Sequence, residues 1–533
     1  MIEMKYDFDE IIDRKNTSSE NVEGFRLYMF SDEPDISLPF EDDELIRMWV
    51  ADMEFAAAPE ICQAVRDRAD KRIFGYTGMF DSGYYDAFAS WCMQRYGWEF
   101  LEEQLVISPG VIPALYELVG LLTETDEKVL FLSPSYGFFK HAARYNGRQF
   151  ICSPLKNSRG SFSINFDDLA EKASRPDVKL LIWCNPHNPT GRVWSMDEAE
   201  RVARIAEENG LWIISDEIHC DLLRNGQQHI PMGKVMPDYS RLITCMAASK
   251  TFNLAGMLFS NIIIRDAGLR AKFRRRDKLG GSLNPLSLAA NRAAYEKGAP
   301  WLAQLKDYLD ENFRFAVDFI TDNIPGAVCS VPQATYLLWV DMNGCGIRAD
   351  NLSKFFAKEA GVLVESGNRL FVDNAAGFVR INLAMPRALV REGLGRMADA
   401  VRRHRVPSID EWMKEAKQHE TAKDIGMYLT HNGVVRETAK ARVRSGAEDT
   451  KPVIGMRFSY DRDKVDAAVR ETYRMDGIYY IRTWLAEGEL QVGDDIMMVL
   501  IGGDIRPHIV DALQYLVGRI KNECVTETEI FGE

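Results

Sequence analysis

The chain has 533 residues, of which 46% are hydrophobic, 11% aromatic and 27% charged, and its formal net charge is -14 at pH 7. This composition is typical of a folded protein with several domains, and it excludes a disordered chain or one small module. The acidic balance argues against nucleic acid or an anionic membrane surface as the main partner, since both repel an acidic surface. Small molecules and proteins are the expected partners.

The amino end and the cysteines indicate the compartment. The first residues, "MIEMKYDFDEII", contain neither the basic nor the apolar region of a signal peptide, and no apolar run approaches the length of a membrane span. The nine cysteines are scattered and never spaced as C-x-x-C, which fits reduced thiols and favours neither a disulfide framework nor a zinc site. We therefore expect a cytoplasmic protein without a bound metal ion.

Short apolar runs alternate with helical patterns from about residue 105 to 265, which is typical of βαβ units and a mainly parallel sheet. Ser195, followed by Glu198 three residues later, predicts a capping box at the start of a helix, and Gly210 predicts its end. The three clearest strands are predicted at 178 to 184, 211 to 215 and 241 to 247.

The second half of the chain changes character twice. Residues 291 to 400 combine a long helical pattern with the strand-like runs "TYLLWVDM" and "GFVRINLA", which predicts an α+β domain, and residues 402 to 424 are charged with little apolar periodicity. The predicted fold class is therefore α/β. The predicted boundaries are an amino-terminal arm with part of a small domain (1–45), a large domain (46–290), the remaining small domain (291–405), a linker (406–429) and a C-terminal α+β domain (430–533).

Polar side chains follow each of the three predicted strands. Asn188 lies in "NPHNPTG", Asp216 in "DEIH" and Lys250 in "AASK". In an open parallel sheet these strand ends share one edge, where ligands bind. A lysine can form a Schiff base, an aspartate can keep a ring nitrogen protonated, and an asparagine can bond a phenolic oxygen. Taken singly, Asn188 is explained as a turn residue, Asp216 as a helix cap and Lys250 as a surface lysine. Together the three residues favour pyridoxal phosphate as the cofactor.

A phosphate site is predicted at "SPGVIPALYELV", residues 108 to 119, where a glycine turn opens a helix. The free N–H groups and the dipole of a helix N-terminus attract anions. Gly110, Val111 and Ile112 are the candidate residues.

These motifs carry a family resemblance. "WVADMEF", "GYTG", "SPGVIPAL", "NPHNPTGRVW", "SDEIHCDL", "SKTFNLAG" and "FVRINLAMPR" occur in the order found in fold-type I pyridoxal-phosphate enzymes of the aspartate aminotransferase superfamily. Within that superfamily, the first 405 residues or so resemble the MalY/PatB group of carbon–sulfur β-lyases. The resemblance implies the PLP-dependent transferase fold, with a mainly parallel large domain and an α+β small domain, and a homodimer.

The resemblance also implies roles around the cofactor ring. Lys250 would carry the cofactor and act as the base for the α-proton, and Asp216 would pair with the pyridinium nitrogen. Tyr136 would stack on the ring, although a core aromatic side chain is the alternative on sequence alone. Asn188 and His219 would meet the ring hydroxyl.

Further residues are implied at the phosphate and the substrate. Ser249 and the turn at Gly110 would hold the phosphate, and Tyr76 would reach it from the second subunit. Arg380 would bind the substrate α-carboxylate, a task that suits a guanidinium, with a structural salt bridge as the alternative. Ala51 is the other expected substrate-binding residue.

The implied reaction is β-elimination from a small sulfur-containing amino acid, which gives pyruvate, ammonia and a thiol or sulfide. An aminotransferase is the alternative, because transamination begins with the same loss of the α-proton. A binding or regulatory protein in sulfur-carrier or molybdenum cofactor metabolism is the alternative of another class. Leu258 stands where many members of the superfamily have a phosphate-binding arginine, and in this the chain resembles the lyase group. The chain departs from the group's own pattern at Asn21, Val22, Gln333 and Ala334.

The tail, from about residue 430, resembles the large subunit of molybdopterin synthase through "NGVVRETAKARVRSG" and "GELQVGDDIMMVLIGGDIRPHIVDALQYLVGRIKNE". Arg442, Arg506 and Lys521 stand where that family has basic active-site residues, with surface charge as the alternative for the two arginines. Thr528 replaces a second catalytic lysine, which argues against molybdopterin synthesis. A ubiquitin-like sulfur carrier is the expected partner of this domain.

Overall fold

The computed structural model describes residues 6–276, 282–347, 351–445 and 451–532. The chain divides into two compact units, Met1–Arg403 and His404–Glu533. Across the described ranges, no helix is both long enough and apolar enough to cross a bilayer.

A seven-stranded sheet forms the centre of the first unit. Strand Ser260–Ile264 runs antiparallel to both of its neighbours, and the other neighbouring pairs are parallel. The central strands are buried on both faces, which explains their nearly continuous apolar sequences. In spatial order the strands are Leu105–Ser108, Ser260–Ile264, Leu242–Met246, Trp212–Asp216, Val178–Cys184, Lys128–Ser133 and Gln149–Pro154.

Helices cover this sheet, and one of them shows the predicted capping box. Ser195 Oγ accepts a hydrogen bond from the Glu198 backbone N–H at 3.2 Å, and the Glu198 carboxylate accepts one from the Ser195 N–H at 2.9 Å. The larger helices of the unit before residue 300 are Pro59–Ala69, Gly83–Tyr96, Val111–Leu122, Gly137–Tyr145, Phe166–Ala173, Met196–Glu208, Ala267–Arg276 and Pro285–Lys297.

The rest of the first unit contains a small antiparallel sheet. Its central strand, Phe378–Asn382, pairs with Leu337–Asp341 on one side and with Glu365–Ser366 on the other, so both strand-like runs predicted there form strands. Arg380 is opposite Trp339 and Glu365 in this register. The helices of this part are Ala299–Asn323, Leu352–Ala360 and Arg387–His404.

The second unit is α+β, as predicted. It contains two three-stranded antiparallel sheets with their helices. The first sheet has the order Met427–Val434, Asp495–Gly503, Ile478–Leu485, and the second Gly488–Gln491, Val453–Tyr460, Val525–Phe531; the helices are Ile409–Gln418, Lys440–Ser445, Arg462–Thr472 and Arg506–Arg519.

The structure differs from the sequence prediction over residues 406–429, which were expected to form a linker. Helix Ile409–Gln418 lies there, and its Trp412 and Ala416 are buried in a small core with Met498 and Leu500. Trp412 and Ala416 are four residues apart and so share one helix face. Ile409 and Met413 pack against the same core, so the helix has the apolar spacing of an amphipathic helix, and Ser408 caps it. The sequence therefore contained a local signal for this helix, which the charged residues between the apolar positions obscured.

Candidate active site

The carboxyl ends of the sheet strands border a cavity of about 250 Å³ in the first unit. Most of the residues predicted for the cofactor and substrate line this one cavity, although they come from segments far apart in the sequence. Those residues are Ala51, Gly110, Val111, Ile112, Tyr136, Asn188, Asp216, His219, Ser249, Lys250 and Arg380.

Strand register brings Asp216 to the cavity. As the last residue of its strand, Asp216 is paired with Cys184 on one side and Cys245 on the other. Its carboxylate accepts a hydrogen bond from the Ile218 N–H at 3.3 Å and is 5% exposed. Burial raises the pKa of the Asp216 carboxyl to about 7, because the charged form loses its hydration. A cationic ring N–H beside this oxygen would favour the carboxylate again.

Lys250 lies on the one-turn helix Ala248–Thr251, which directly follows the next strand of the sheet. Its Nζ donates a hydrogen bond to the Ala51 carbonyl oxygen at 2.7 Å. Burial lowers the pKa of the Lys250 amine to about 8, an effect that the nearby Asp52 carboxylate opposes. The neutral amine is therefore accessible near neutral pH, which a nucleophile and a base both require.

One part of the cavity wall is formed by the start of helix Val111–Leu122, with Gly110 as its N-cap. A Cβ atom added at Gly110 would lie only 3.0 Å from Pro113 Cδ, so a larger residue would crowd this turn. Ser249 lines the same cavity and brings a hydroxyl group. Backbone donors at a helix N-terminus together with a hydroxyl suit a phosphate.

Arg380 is 2% exposed and is positioned by the central strand of the small sheet. Its Nη2 donates to the Trp49 carbonyl at 3.0 Å, and its Nη1 to Asn188 Oδ1 at 3.4 Å. Its Nε has no hydrogen-bond partner among the described residues. A buried guanidinium held by neutral oxygens retains capacity for an anion, and a carboxylate is the natural complement.

Tyr136 and His219 are two further predicted residues that line the cavity. Burial raises the pKa of the Tyr136 phenol, so this ring stays neutral. His219 is 3% exposed, its Nδ1 has no partner in the part of the chain that is described, and burial lowers the pKa of its imidazole to about 3. Together with the Gly110 turn and the free Arg380 Nε, these groups fit pyridoxal phosphate and an amino acid in chemical type and position.

Tyr76 differs from the other predicted residues, because it does not line the cavity. It is 99% exposed and lies in an exposed apolar stretch with Phe74, at 59%, and Phe80, at 92%.

Sequence reasoning missed the residues that hold the loop from Trp49 to Glu54. The Tyr336 hydroxyl donates to the Ala51 carbonyl at 2.9 Å, Asn382 Nδ2 donates to the Val50 carbonyl at 2.8 Å, and Asn253 Nδ2 donates to the Met53 carbonyl at 2.9 Å. Each of these residues lies in or beside a quoted motif. A backbone carbonyl can belong to any residue type, so the accepting positions show no pattern in the sequence. The sequence therefore identified the motifs that contain these residues but did not predict that they hold the loop.

The predicted basic residues of the second unit do not come together. Lys521 lines a cavity of about 130 Å³, but Arg442 and Arg506 are exposed and are not among its lining residues. Helix Arg506–Arg519 explains part of this result, since its 14 residues span about 21 Å between Arg506 and the segment that carries Lys521.

Other charged residues line this second cavity. They are Arg436, Lys440, Glu527 and Glu529, and Lys440 Nζ pairs with the Glu527 carboxylate while its backbone N–H donates to Glu529 Oε1 at 2.9 Å. The two glutamates offset part of the positive charge of the arginine and lysine side chains. This charge balance does not favour a ligand with several negative charges.

Comparisons with known proteins agree with this architecture. The chain matches the family Aminotransferase class I and II over residues 44–397 and the family MoaE protein over residues 405–523. It is 38% identical to cystathionine beta-lyase PatB of Bacillus subtilis (strain 168), over 67% of this chain and 93% of PatB. It is 31% identical to Protein MalY of Escherichia coli (strain K12), over 74% of this chain and 99% of MalY.

A solved structure shows the same similarity. The PLP-bound C-S lyase from Staphylococcus hominis is 46% identical, with a TM-score of 0.71 over 75% of this chain and 98% of that one. The chain belongs to the aminotransferase class I and II family, and a MoaE domain follows at its carboxyl end.

Proposed function

We propose that the first unit is a pyridoxal-phosphate-dependent carbon–sulfur β-lyase that acts on a small sulfur-containing amino acid. The observation that carries the proposal is the single cavity lined by Lys250, Asp216, Asn188 and Arg380. The relatives support the reaction type, because PatB is named a cystathionine beta-lyase and the similar Staphylococcus hominis structure is a PLP-bound C-S lyase.

The lining residues divide between the parts of the cofactor. Asp216 would pair with the ring nitrogen, Tyr136 would pack against the ring, and Asn188 and His219 would bond the ring hydroxyl. The backbone from Gly110 to Ile112 and the Ser249 hydroxyl would hold the phosphate. Bound pyridoxal phosphate supplies an electron sink for negative charge that develops at the substrate Cα.

The remaining residues act on the amino acid. Arg380 binds the α-carboxylate and so fixes the orientation of Cα, with Ala51 beside it in the cavity lining. Lys250, as the neutral amine, accepts the proton from Cα. When the bond from Cβ to sulfur then breaks, the sulfur leaves with the bonding electron pair and takes up a proton to become the thiol. Addition of water to the remaining three-carbon fragment gives pyruvate and ammonia.

The proposal is tested by incubating the PLP-loaded full chain with cystathionine or cysteine in the absence of a keto acid. Pyruvate and a thiol or sulfide should form in equal amounts, and Lys250→Ala should form neither. Transfer of the amino group to an added keto acid without elimination would identify an aminotransferase instead. No turnover of any β-substituted amino acid by the fully loaded protein would favour a binding or regulatory role.

For the second unit, we propose that its cavity binds the carboxyl-terminal tail of a small ubiquitin-like sulfur carrier. Two observations support this: the unit matches the MoaE family, and Lys521 lines a cavity whose walls include Met456, Phe458 and Ile520. A peptide carboxylate carries one charge, which suits one lysine in a cavity whose other bases are offset by glutamates. Tethering would raise the effective concentration of the carrier near the lyase to about millimolar.

The carrier proposal is tested by titrating a ubiquitin-like sulfur carrier protein against the full chain. Lys521→Ala should weaken binding at least tenfold, the size of one charge-assisted hydrogen bond, while Lys414→Ala, an exposed lysine of the same unit, should not. The proposal would be contradicted if Lys521→Ala bound the carrier as tightly as Lys414→Ala did, or if the unmodified chain did not bind it.

A further inference from the structure

The Ala51 carbonyl oxygen accepts two hydrogen bonds in the candidate active site. Lys250 Nζ donates one at 2.7 Å and the Tyr336 hydroxyl donates the other at 2.9 Å. A carbonyl oxygen has two lone pairs and can accept both. Both donors draw on the electron density of one oxygen, so each weakens the bond that the other makes. Tyr336 therefore acts on Lys250 without touching it.

The backbone before Tyr336 is held in an unusual conformation. Thr335 has φ of 74°, in the left-handed region that β-branched residues rarely enter, and it is fully buried. Its carbonyl accepts a hydrogen bond from Arg224 Nη2 at 2.8 Å, its N–H donates to the Leu222 carbonyl at 2.7 Å, and its Oγ1 accepts from the Leu337 N–H at 3.0 Å. Such strain persists only where the surroundings fix it, and it often occurs at functional sites.

This strained turn directs the Tyr336 side chain to the edge of the cavity. The ring is 1% exposed and packs edge to face with His219, at 6.2 Å between ring centroids. Burial raises the pKa of the Tyr336 phenol, so its hydroxyl keeps the proton that it donates. The hydroxyl is thus a permanent, neutral donor to Ala51.

We propose that Tyr336 is a positioning residue of the lyase: by sharing the Ala51 carbonyl, its hydroxyl holds the acceptor of Lys250 in place and disfavours the Lys250 ammonium. The inference rests on the proposed function, in which Lys250 must be a neutral amine to take the Cα proton. An ammonium gains more than an amine from a strong acceptor. Weakening that acceptor therefore favours the amine.

Other charges also act on Lys250 and must be held constant in a test. They are Asp52, Asp216 and Glu20, which favour the ammonium, and Arg380, which opposes it. Tyr336→Phe changes none of them and removes only the hydroxyl. Tyr84→Phe is a matched control, because Tyr84 is also buried and its hydroxyl donates to Asn261 rather than to Ala51.

The experiment measures the pKa of the Lys250 amine in the full chain without cofactor or substrate, from the pH dependence of its acylation followed by peptide mass spectrometry. Tyr336→Phe should raise this pKa by about 0.5 to 1, the equivalent of one net hydrogen bond, and Tyr84→Phe should not. A pKa that stays constant or falls in Tyr336→Phe would overturn the proposal. The readout needs no turnover, so it does not depend on whether the enzyme is a lyase.

A second variant and a kinetic readout complete the test. Replacing Tyr336 with 3-fluorotyrosine makes the hydroxyl a stronger donor, so the Lys250 pKa should fall. In the loaded enzyme, Tyr336→Phe should lower kcat about three- to tenfold with little change in KM, and it should shift the acid limb of the kcat profile to higher pH. A lower unfolding midpoint with an unshifted pH profile would mean that Tyr336 is merely structural.

Discussion

Two residues of the candidate site have pKa values displaced toward each other by the same cause. Burial raises the pKa of Asp216 to about 7 and lowers that of Lys250 to about 8. Both shifts arise because a charged group loses hydration in the cavity, and both would be relieved by ligand groups of the right charge. The sequence identified these two residues from the strand ends, but burial and its electrostatic result required the packed structure.

The raised pKa of Asp216 predicts a pH dependence of stability for the cofactor-free chain. An unfolded aspartate has a pKa near 3.9, so between about pH 4 and pH 7 the unfolded state is ionised while folded Asp216 still binds a proton. Rising pH should therefore remove up to about 4 kcal/mol of stability across this range, and Asp216→Asn should abolish that loss. Urea unfolding of both proteins at pH 5 and pH 8 should show about 2.5 to 3 kcal/mol of this loss in the unmodified chain alone. Parallel changes in the two proteins would contradict the assignment.

At the scale of elements, sequence patterns predicted the strands and the capped helix well, because long apolar runs and caps are local signals. The helix Ile409–Gln418 was missed although Ile409, Trp412, Met413 and Ala416 have helical spacing, because the segment was judged by its many charged residues. The loop from Trp49 to Glu54 was recognised as a motif, but its fixation by side chains about 200 residues or more away, such as Asn253, was not. Long-range hydrogen bonds to backbone atoms produce no periodic pattern in the sequence, so the sequence does not predict them.

Asn253 provides a test of that loop. It has φ of 57°, and its amide exchanges two hydrogen bonds with the Met53 backbone, at 3.1 and 2.9 Å. Asn253→Ala should cost about 2 to 3 kcal/mol of unfolding free energy, from two lost bonds and a strained φ, and Asn253→Gly about 1 kcal/mol less. Asn209→Ala, which removes an exposed bond to the Ile205 carbonyl, is the control. An equal loss of unfolding free energy in all three variants would contradict the role of Asn253 in holding the loop.

The whole molecule consists of two units with separate cores, and the exposed stretch around Tyr76 belongs to the first. Apolar side chains exposed together in this way are usually covered by a partner. We propose that this partner is a second copy of the chain, which would place Tyr76 in the neighbouring active site. The "GYTG" motif predicted this role of Tyr76 through the family resemblance. The exposure of Tyr76 in a single chain does not by itself indicate the role.

Hybrid dimers test this arrangement. If Lys250→Ala and Tyr76→Phe each abolish most activity, mixing them should restore about a quarter of the unmodified activity, because half of the dimers are hybrids with one of two sites intact. Mixing each variant with itself is the control. Activity that stays at the level of the separate variants would show that Tyr76 does not act across subunits.

The central claim is that Lys250 is the residue that binds the cofactor in the cavity with Asp216 and Arg380. The most direct measurement is reduction of the pyridoxal-phosphate-loaded full chain with borohydride, followed by peptide mass spectrometry to locate the attached cofactor. The label should be found on the peptide that contains Lys250, and Lys250→Ala should carry none. Attachment at another lysine, or an equal amount of label in Lys250→Ala, would contradict the account.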